Sequence, residues 1–232
     1  MRINYLQHVP FEGPGAINNW AVKRNHEIEG TPVIREVFPS HDSYDMLLIL
    51  GGPMGVGDER KYSWLALEKR FIREAFDKGK TIVGICLGAQ LIAEVTGGSV
   101  VPGPYREVGW HQVESSAEVG LSPVFSLLPQ VFTPFHWHGE MFIPPADAIV
   151  TARSAGCPRQ AFEYAEHAYG LQFHLEATPE SVRSLITNCP DDLTPATYVQ
   201  KPGEMIRPDA GFEDIHSLMG ILLDGIVHRA GL

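Results

Sequence analysis

The sequence predicts an α/β protein built on a mostly parallel central sheet, and three features carry that prediction. Met46-Leu47-Leu48-Ile49-Leu50 is an unbroken apolar run bounded by turn formers, as expected of a strand covered on both faces. A second short run, Thr81-Ile82-Val83, leads directly into Gly84-Ile85-Cys86-Leu87-Gly88-Ala89-Gln90. A helical pattern lies between them, and strand–helix–strand repetition implies parallel strands joined by right-handed crossovers.

The elements can be justified in chain order. Ile3 to Val9 alternates loosely and reads as a first strand; Gly13-Pro14-Gly15 breaks it, and Ala16 to Glu27 reads as a helix. Val33 to Val37, entered through Pro32, is the expected second strand, and Ser40 to Ser43 a loop. After the strand at 46–50, residues 51–57 are too glycine-rich for regular structure. Glu59 to Lys78 reads as a long helix. Trp64, Leu67, Phe71, Ala75 and Phe76 share one face, with Glu68, Lys69, Arg73 and Asp77 away from it. Gly79 ends it as a C′ glycine. The helix after Cys86 starts near Leu91 and stops at Gly97-Gly98.

The middle is less regular. Strands are expected over Glu107–Glu114, Gln130–His136, Ala148–Arg153, Gln160–Tyr164 and Gly170–His174, with a short helix over Ser122–Leu128. Thr178-Pro179-Glu180 opens a helix, with Thr178 at the N-cap and Pro179 at N1. Asp191 to Pro208 is a surface excursion. Ile215, Leu218, Met219, Leu222, Leu223, Ile226 and Val227 repeat at helical spacing, which marks a tail helix docked on the core.

Composition narrows the function classes. A chain of 232 residues, 44% of them hydrophobic, suffices for one large core. The net charge of −10, without a Lys/Arg cluster, argues against nucleic acid or an anionic membrane as partner. Cys86, Cys157 and Cys189 are too few and too scattered for a disulfide frame, so a cytoplasmic location is expected. There is no signal-peptide pattern at the N-terminus and no apolar run of membrane-spanning length.

The chemistry starts at Cys86. Gly-x-Cys-x-Gly at a strand-to-helix joint is a nucleophile elbow with Cys in place of Ser. The helix N-terminus beneath offers free N–H groups and partial positive charge, which favour a thiolate and a nearby oxyanion. The competing reading is a buried structural Cys in a tight turn. A Cys nucleophile needs a base, and the base a partner that fixes its tautomer. His174 is the best candidate: it ends a strand, and Glu176, two residues on, falls on the same face if the strand continues. Leu87 N–H is a natural oxyanion donor, and Gly52 in Gly51-Gly52-Pro53 supplies a second. A phosphate-binding loop is discounted there, because the Lys and Ser/Thr of a P-loop are missing. His136 and His138 in His136-Trp137-His138-Gly139-Glu140 are spaced to share a metal with Cys86 or His174. No further ligand pair supports this, so no metal is expected.

Together, Gly-Ile-Cys-Leu-Gly-Ala-Gln around Cys86, Gly-Leu-Gln-Phe-His-Leu-Glu around His174 and Glu176, and Gly51-Gly52-Pro53 resemble the class I (triad-type) glutamine amidotransferases. The likeness covers roughly residues 47–186. Gly109-Trp110, His136 to Glu140 and Cys157 to Phe162 look more narrowly like stand-alone relatives of the GMP synthase glutaminase domain. The resemblance implies a flavodoxin-like three-layer α/β/α fold, with residues 1–190 as the amidotransferase-like domain and 191–232 as an extension of it carrying the docking helix. It implies a Cys86–His174–Glu176 triad cleaving the γ-amide of glutamine through a thioester, Gly52 and Leu87 as the oxyanion hole, and no cofactor. It places Met54, Gln90, Gly139 and Glu140 against the substrate. No synthetase domain is visible in the sequence, so a separate subunit would take up the ammonia. Otherwise the chain is a γ-glutamyl peptide or γ-glutamyl polyamine hydrolase. A redox-sensing Cys protein is the remote alternative, and a full Cys, His and Glu set argues against it.

Overall fold

A computed structural model describes residues 1–206 and 210–232. The elements follow in order as β1 (Arg2–Gln7), α1 (Ala16–Lys23), β2 (Glu27–Pro32), β3 (Met46–Ile49), α2 (Ser63–Asp77), β4 (Thr81–Ile85), α3 (Leu87–Val95), β5 (Ser99–Trp110) and β6 (Val113–Ser115). They continue with β7 (Val131–Phe132), β8 (Phe135–Ile143), β9 (Ile149–Ser154), β10 (Ala161–Tyr164), β11 (Ala168–Leu171), α4 (Pro179–Asn188), β12 (Tyr198–Val199), α5 (Pro202–Met205) and α6 (Ala210–Ala230).

The main sheet has the order β2-β1-β3-β4-β11-β10-β9-β6-β7. Its half from β2 to β11 is parallel throughout, and the remaining strands extend it antiparallel. Alternation within single strands shows why both faces are covered. Met46, Leu48 and Leu50 enter one hydrophobic core with α1, α4 and α6, whereas Leu47 and Ile49 enter another with α2 and α3. Both faces are covered, as the apolar runs predict, and the result is the three-layer α/β/α arrangement that the resemblance implies. A smaller sheet, β12-β5-β8, stands beside it.

Several expectations are corrected. The second strand is Glu27–Pro32, not Val33–Val37, where Val33–Arg35 form one 3₁₀ turn. As an edge strand paired only to β1, β2 buries little and needs no apolar run, while Ile34 and Val37 stay exposed. Helix α2 begins at Ser63 because Asp58–Arg60 form a separate 3₁₀ turn and Tyr62 is extended. Glu68 belongs to the buried face of α2. The expected strands at 107–114 and 130–136 are each split, because β5 and β8 leave the main sheet to pair with each other. The excursion after residue 191 packs back: β12 pairs with β5, and Met205 is fully buried. Helix α6 docks as expected, burying Phe212, Ile215, Met219, Leu222, Leu223 and Ile226, and Trp20 of α1 donates its indole N–H to Asp224 at 2.9 Å.

The seat of α3 against β3 and β4 is tight. A Cβ on Gly88 would lie 2.1 Å from the Ile49 carbonyl oxygen, and one on Gly84 would lie 2.5 Å from the Gly88 carbonyl carbon. Gly88→Ala should therefore cost more than about 3 kcal/mol in urea unfolding. Gly57→Ala, where nothing lies within 4 Å, should stay within about 0.5 kcal/mol of the parent.

Candidate functional site

Cys86 sits between β4 and α3 with φ 51° and ψ −108°, a left-handed conformation for a residue with a Cβ. Such a conformation costs on the order of 1–3 kcal/mol and persists only where the surroundings dictate it. Its N–H is tied to the Leu171 carbonyl at 2.7 Å. α3 starts at Leu87, four residues earlier than the sequence suggests, so Leu87 N–H is a helix-terminal donor with no partner four residues back.

Cys86 is 7% exposed as a residue, and it lines a cavity of about 480 Å³. Gly52, Met54, Gln90, Gly139 and Glu140 line the same cavity. Of the nine residues singled out from the sequence, six thus share one space. Leu87 lies just behind: a Cβ built on Gly52 would be 3.1 Å from Leu87 Cδ2. Gln90 donates to the Glu140 carbonyl at 3.4 Å and to the Gln172 amide oxygen at 3.3 Å, and Gln172 Nε2 reaches the Cys86 sulfur at 3.7 Å.

His174 and Glu176 are buried beside this cavity, lining a small neighbouring pocket. The strand ends at Leu171, short of the expected His174, but His174 N–H bonds the Phe135 carbonyl at 2.8 Å in an isolated antiparallel bridge. Its Nδ1 lies 2.6 Å from Glu176 Oε1. Burial opposes charge on the imidazole, but the Glu176 carboxylate and the Cys86 sulfur outweigh it and hold His174 well above its usual pKa. Nε2 is buried with no hydrogen bond of normal geometry. Cys86 and His174 flank one point: a Cβ on Gly51 would lie 3.7 Å from Cys86 Cβ and 3.3 Å from His174 Cε1.

Sequence reasoning missed the supports. His8 Nδ1–H donates to the Gly51 carbonyl at 2.9 Å, and its Nε2 lies 2.9 Å from Glu68 Oε1 with both side chains fully buried. Burial works against the His8 charge, and Glu68 more than restores it, so its pKa is raised. The amphipathic pattern of α2 assigned Glu68 to solvent, and only the fold shows its partner. Glu12 lines both cavities, its pKa raised by burial and opposed by His174 and His8. Glu107, on β5, lies 3.3 Å from His138 Nε2 and accepts from Ser154 and Gln160. Burial raises its pKa, but His138, His136 and Ser154 together lower it to about 2. Neither Cys86 nor His174 joins His136 and His138 in a ligand cluster among the described residues. Arg106 pairs with Asp192 at the cavity rim, and the three cysteines are free.

A cysteine elbow at the carboxyl end of a central parallel strand, with an imidazole–carboxylate pair alongside, places the protein among α/β folds that gather a thiol, an imidazole and a carboxylate at one sheet edge. Comparison with known proteins gives the family. Residues 16–189 match glutamine amidotransferase class-I, and the chain belongs to that family. It is 35% identical over 214 residues to the glutamine amidotransferase-like protein YfeJ of Salmonella typhimurium, covering 88% of this chain and 89% of that one. It is 30% identical to a GMP synthase [glutamine-hydrolyzing] of Aeromonas salmonicida over 85% of this chain, which spans only 39% of that longer protein. The crystal structure of a glutamine amidotransferase from Thermotoga maritima superposes with a TM-score of 0.86 at 28% identity, covering 98% of each chain. Among the described residues no helix is long and apolar enough to cross a membrane.

The His8–Glu68 pair makes a pH-dependent contribution. A raised folded pKa adds stability that is fully present below the unfolded value of about 6.5 and fades as pH rises through the folded one. Glu68→Leu should therefore destabilise by about 3–5 kcal/mol near pH 6, with a smaller gap to the parent at pH 9, as read by denaturant unfolding at both pH values.

Proposed function

We propose that this chain hydrolyses the γ-amide of glutamine, or of a γ-glutamyl amide, through a thioester on Cys86. The observation that carries the reading is the convergence on one cavity of the elbow sulfur, the Gly52 loop and the first turn of α3, with the His174–Glu176 pair directly behind. The thiolate attacks the amide carbon and forms the C–S bond. Gly52 and Leu87 N–H groups hold the developing oxyanion. His174 passes its proton to the leaving nitrogen as the C–N bond breaks. Water then gives a proton to His174 and attacks the thioester; the C–S bond breaks, glutamate leaves, and the thiolate–imidazolium pair is restored. Glu176 stabilises the imidazolium and fixes its tautomer. Met54, Gln90, Gly139 and Glu140 hold the glutamyl group. No step calls for a cofactor. Residues 1–190 form the catalytic unit, and 191–232 belong to the same domain.

The ammonia goes to a separate synthetase subunit or is simply released, and the protein works in the cytoplasm. A second reading has support of its own. Among the described residues the cavity is lined by Glu12, Asp58, Glu140 and Asp192 against one Arg or Lys side chain, Arg106, itself paired with Asp192. That balance favours a γ-glutamyl conjugate whose leaving amine is cationic, such as a γ-glutamyl polyamine.

A panel of glutamine, γ-glutamyl peptides and γ-glutamyl polyamines, followed by glutamate and amine release together, separates the two. Cys86→Ala should lose at least about 10⁴-fold in rate and all labelling by a glutamine-like affinity label; labelling of the variant at the parent rate would refute the assignment. With the imidazolium as acid, activity is lost as pH rises through the His174 pKa. Glu176→Gln removes the carboxylate that raises it, so the alkaline limb of kcat/KM should move to lower pH.

A further inference from the structure

Glu107, His136 and His138 form a second buried cluster, apart from the triad residues. One ligand-capable atom of each lies within 4.8 Å of the other two. His138 Nε2 is 3.5 Å from His136 Nδ1 and 3.3 Å from a Glu107 carboxylate oxygen. Nitrogen and oxygen ligands held about 2.0–2.2 Å from a tetrahedral zinc ion are themselves about 3.3–3.6 Å apart. Two of the three separations therefore already match the spacing that such an ion requires, and the third, between His136 and Glu107, is within 4.8 Å.

Proton accounting sharpens the point. His136 Nε2 lies 3.2 Å from the His111 carbonyl, and His138 Nδ1 lies 3.1 Å from the Glu140 carbonyl. A carbonyl oxygen only accepts, so each of those nitrogens carries the ring proton. In neutral rings the opposite nitrogens then turn lone pairs toward each other and toward a carboxylate. Three acceptors brought together in the interior call for a cation, either a proton on His138 Nε2 or a metal ion. Glu107 is oriented in turn by the Ser154 hydroxyl at 2.7 Å and the Gln160 amide at 2.6 Å. Each histidine fixed through its far nitrogen on a carbonyl, and a carboxylate fixed by further donors, is the outer shell that metal ligands carry.

We propose that Glu107, His136 and His138 are the three protein ligands of a zinc-type divalent metal site in the wall of the substrate cavity. His138 lines that cavity while Glu107 and His136 are fully buried behind it, so His138 is the ligand through which the site borders the cavity. Two histidines two residues apart announce half of such a site. The third ligand lies on the antiparallel neighbour β5, where Glu107 pairs in register with His138.

The test uses the full chain carrying Cys86→Ser, which removes the elbow thiol of the cavity as a competing ligand, after stripping with a chelator. Zinc is titrated, and bound metal is counted by elemental analysis after gel filtration; cobalt(II) reports geometry through its visible absorption. One zinc per chain, and a cobalt spectrum of tetrahedral intensity, are expected. His136→Gln and Glu107→Gln in that background should weaken zinc binding at least tenfold. Should either fail to fold, Ser154→Ala, which touches no ligand atom of the imidazoles, should still weaken it about 10–100-fold. Failure of the Cys86→Ser chain to retain zinc at 0.1 mM would overturn the site. So would undiminished binding in the folded variants. The cluster would then be a metal-free ion pair in which His138 holds a second proton against Glu107. These measurements need no turnover, so they stand or fall separately from the proposed amide hydrolysis.

Discussion

The close seat of helix α3 on strands β3 and β4 is the constraint on which the site depends. It exists because two side chains are missing: a Cβ on Gly88 would meet the Ile49 carbonyl, and one on Gly84 would meet the backbone of Gly88. With the helix drawn in this far, the chain between strand and helix has one residue in which to turn. Cys86 absorbs the turn at positive φ. The strain is local, and the packing of both cores against β3 and β4 holds it there. The sulfur is thereby presented to the cavity while the rest of the residue is core.

The second level is a set of buried polar supports that place backbone rather than substrate. His8, just past the end of β1, grips the Gly51 carbonyl, and Glu68 grips His8 from α2, so two distant segments meet at the loop proposed to bind the oxyanion. On the other wall, His138 and Gln90 both reach the Glu140 carbonyl. Buried charge of this kind is expensive unless fully paired. Here the pairing is through one oxygen of Glu68 only, its Oε2 being buried without a hydrogen-bond partner.

Legibility from sequence follows the physics of each feature. The elbow, the 46–50 strand and the tail helix are local patterns, and they were readable because spacing alone determines them. Glu68 was misread for the complementary reason. Periodicity assigns a charged residue to solvent, and only the arrival of His8 from sixty residues away makes its burial affordable. The edge strand β2 was displaced because Glu27–Pro32 buries too little to leave an apolar trace, whereas exposed Ile34 and Val37 mimic one. Among the chemistry-bearing residues, Cys86, His174 and Glu176 sit in contiguous motifs. Glu12 and Glu107 do not; only the fold brings Glu12 to the cavity and Glu107 against His138.

The segment that carries the imidazole and its carboxylate is gripped from both ends of the chain. Ala16 N–H, opening α1, bonds the Glu176 carbonyl at 3.0 Å, and His216 of α6 bonds the Ala177 carbonyl at 2.7 Å. During synthesis the first of these clasps can close once residue 176 has left the ribosome, and the second only after residue 216 has followed. The nascent protein therefore passes through a stage in which the segment bearing the imidazole is held on one side alone, until α6 closes over the other.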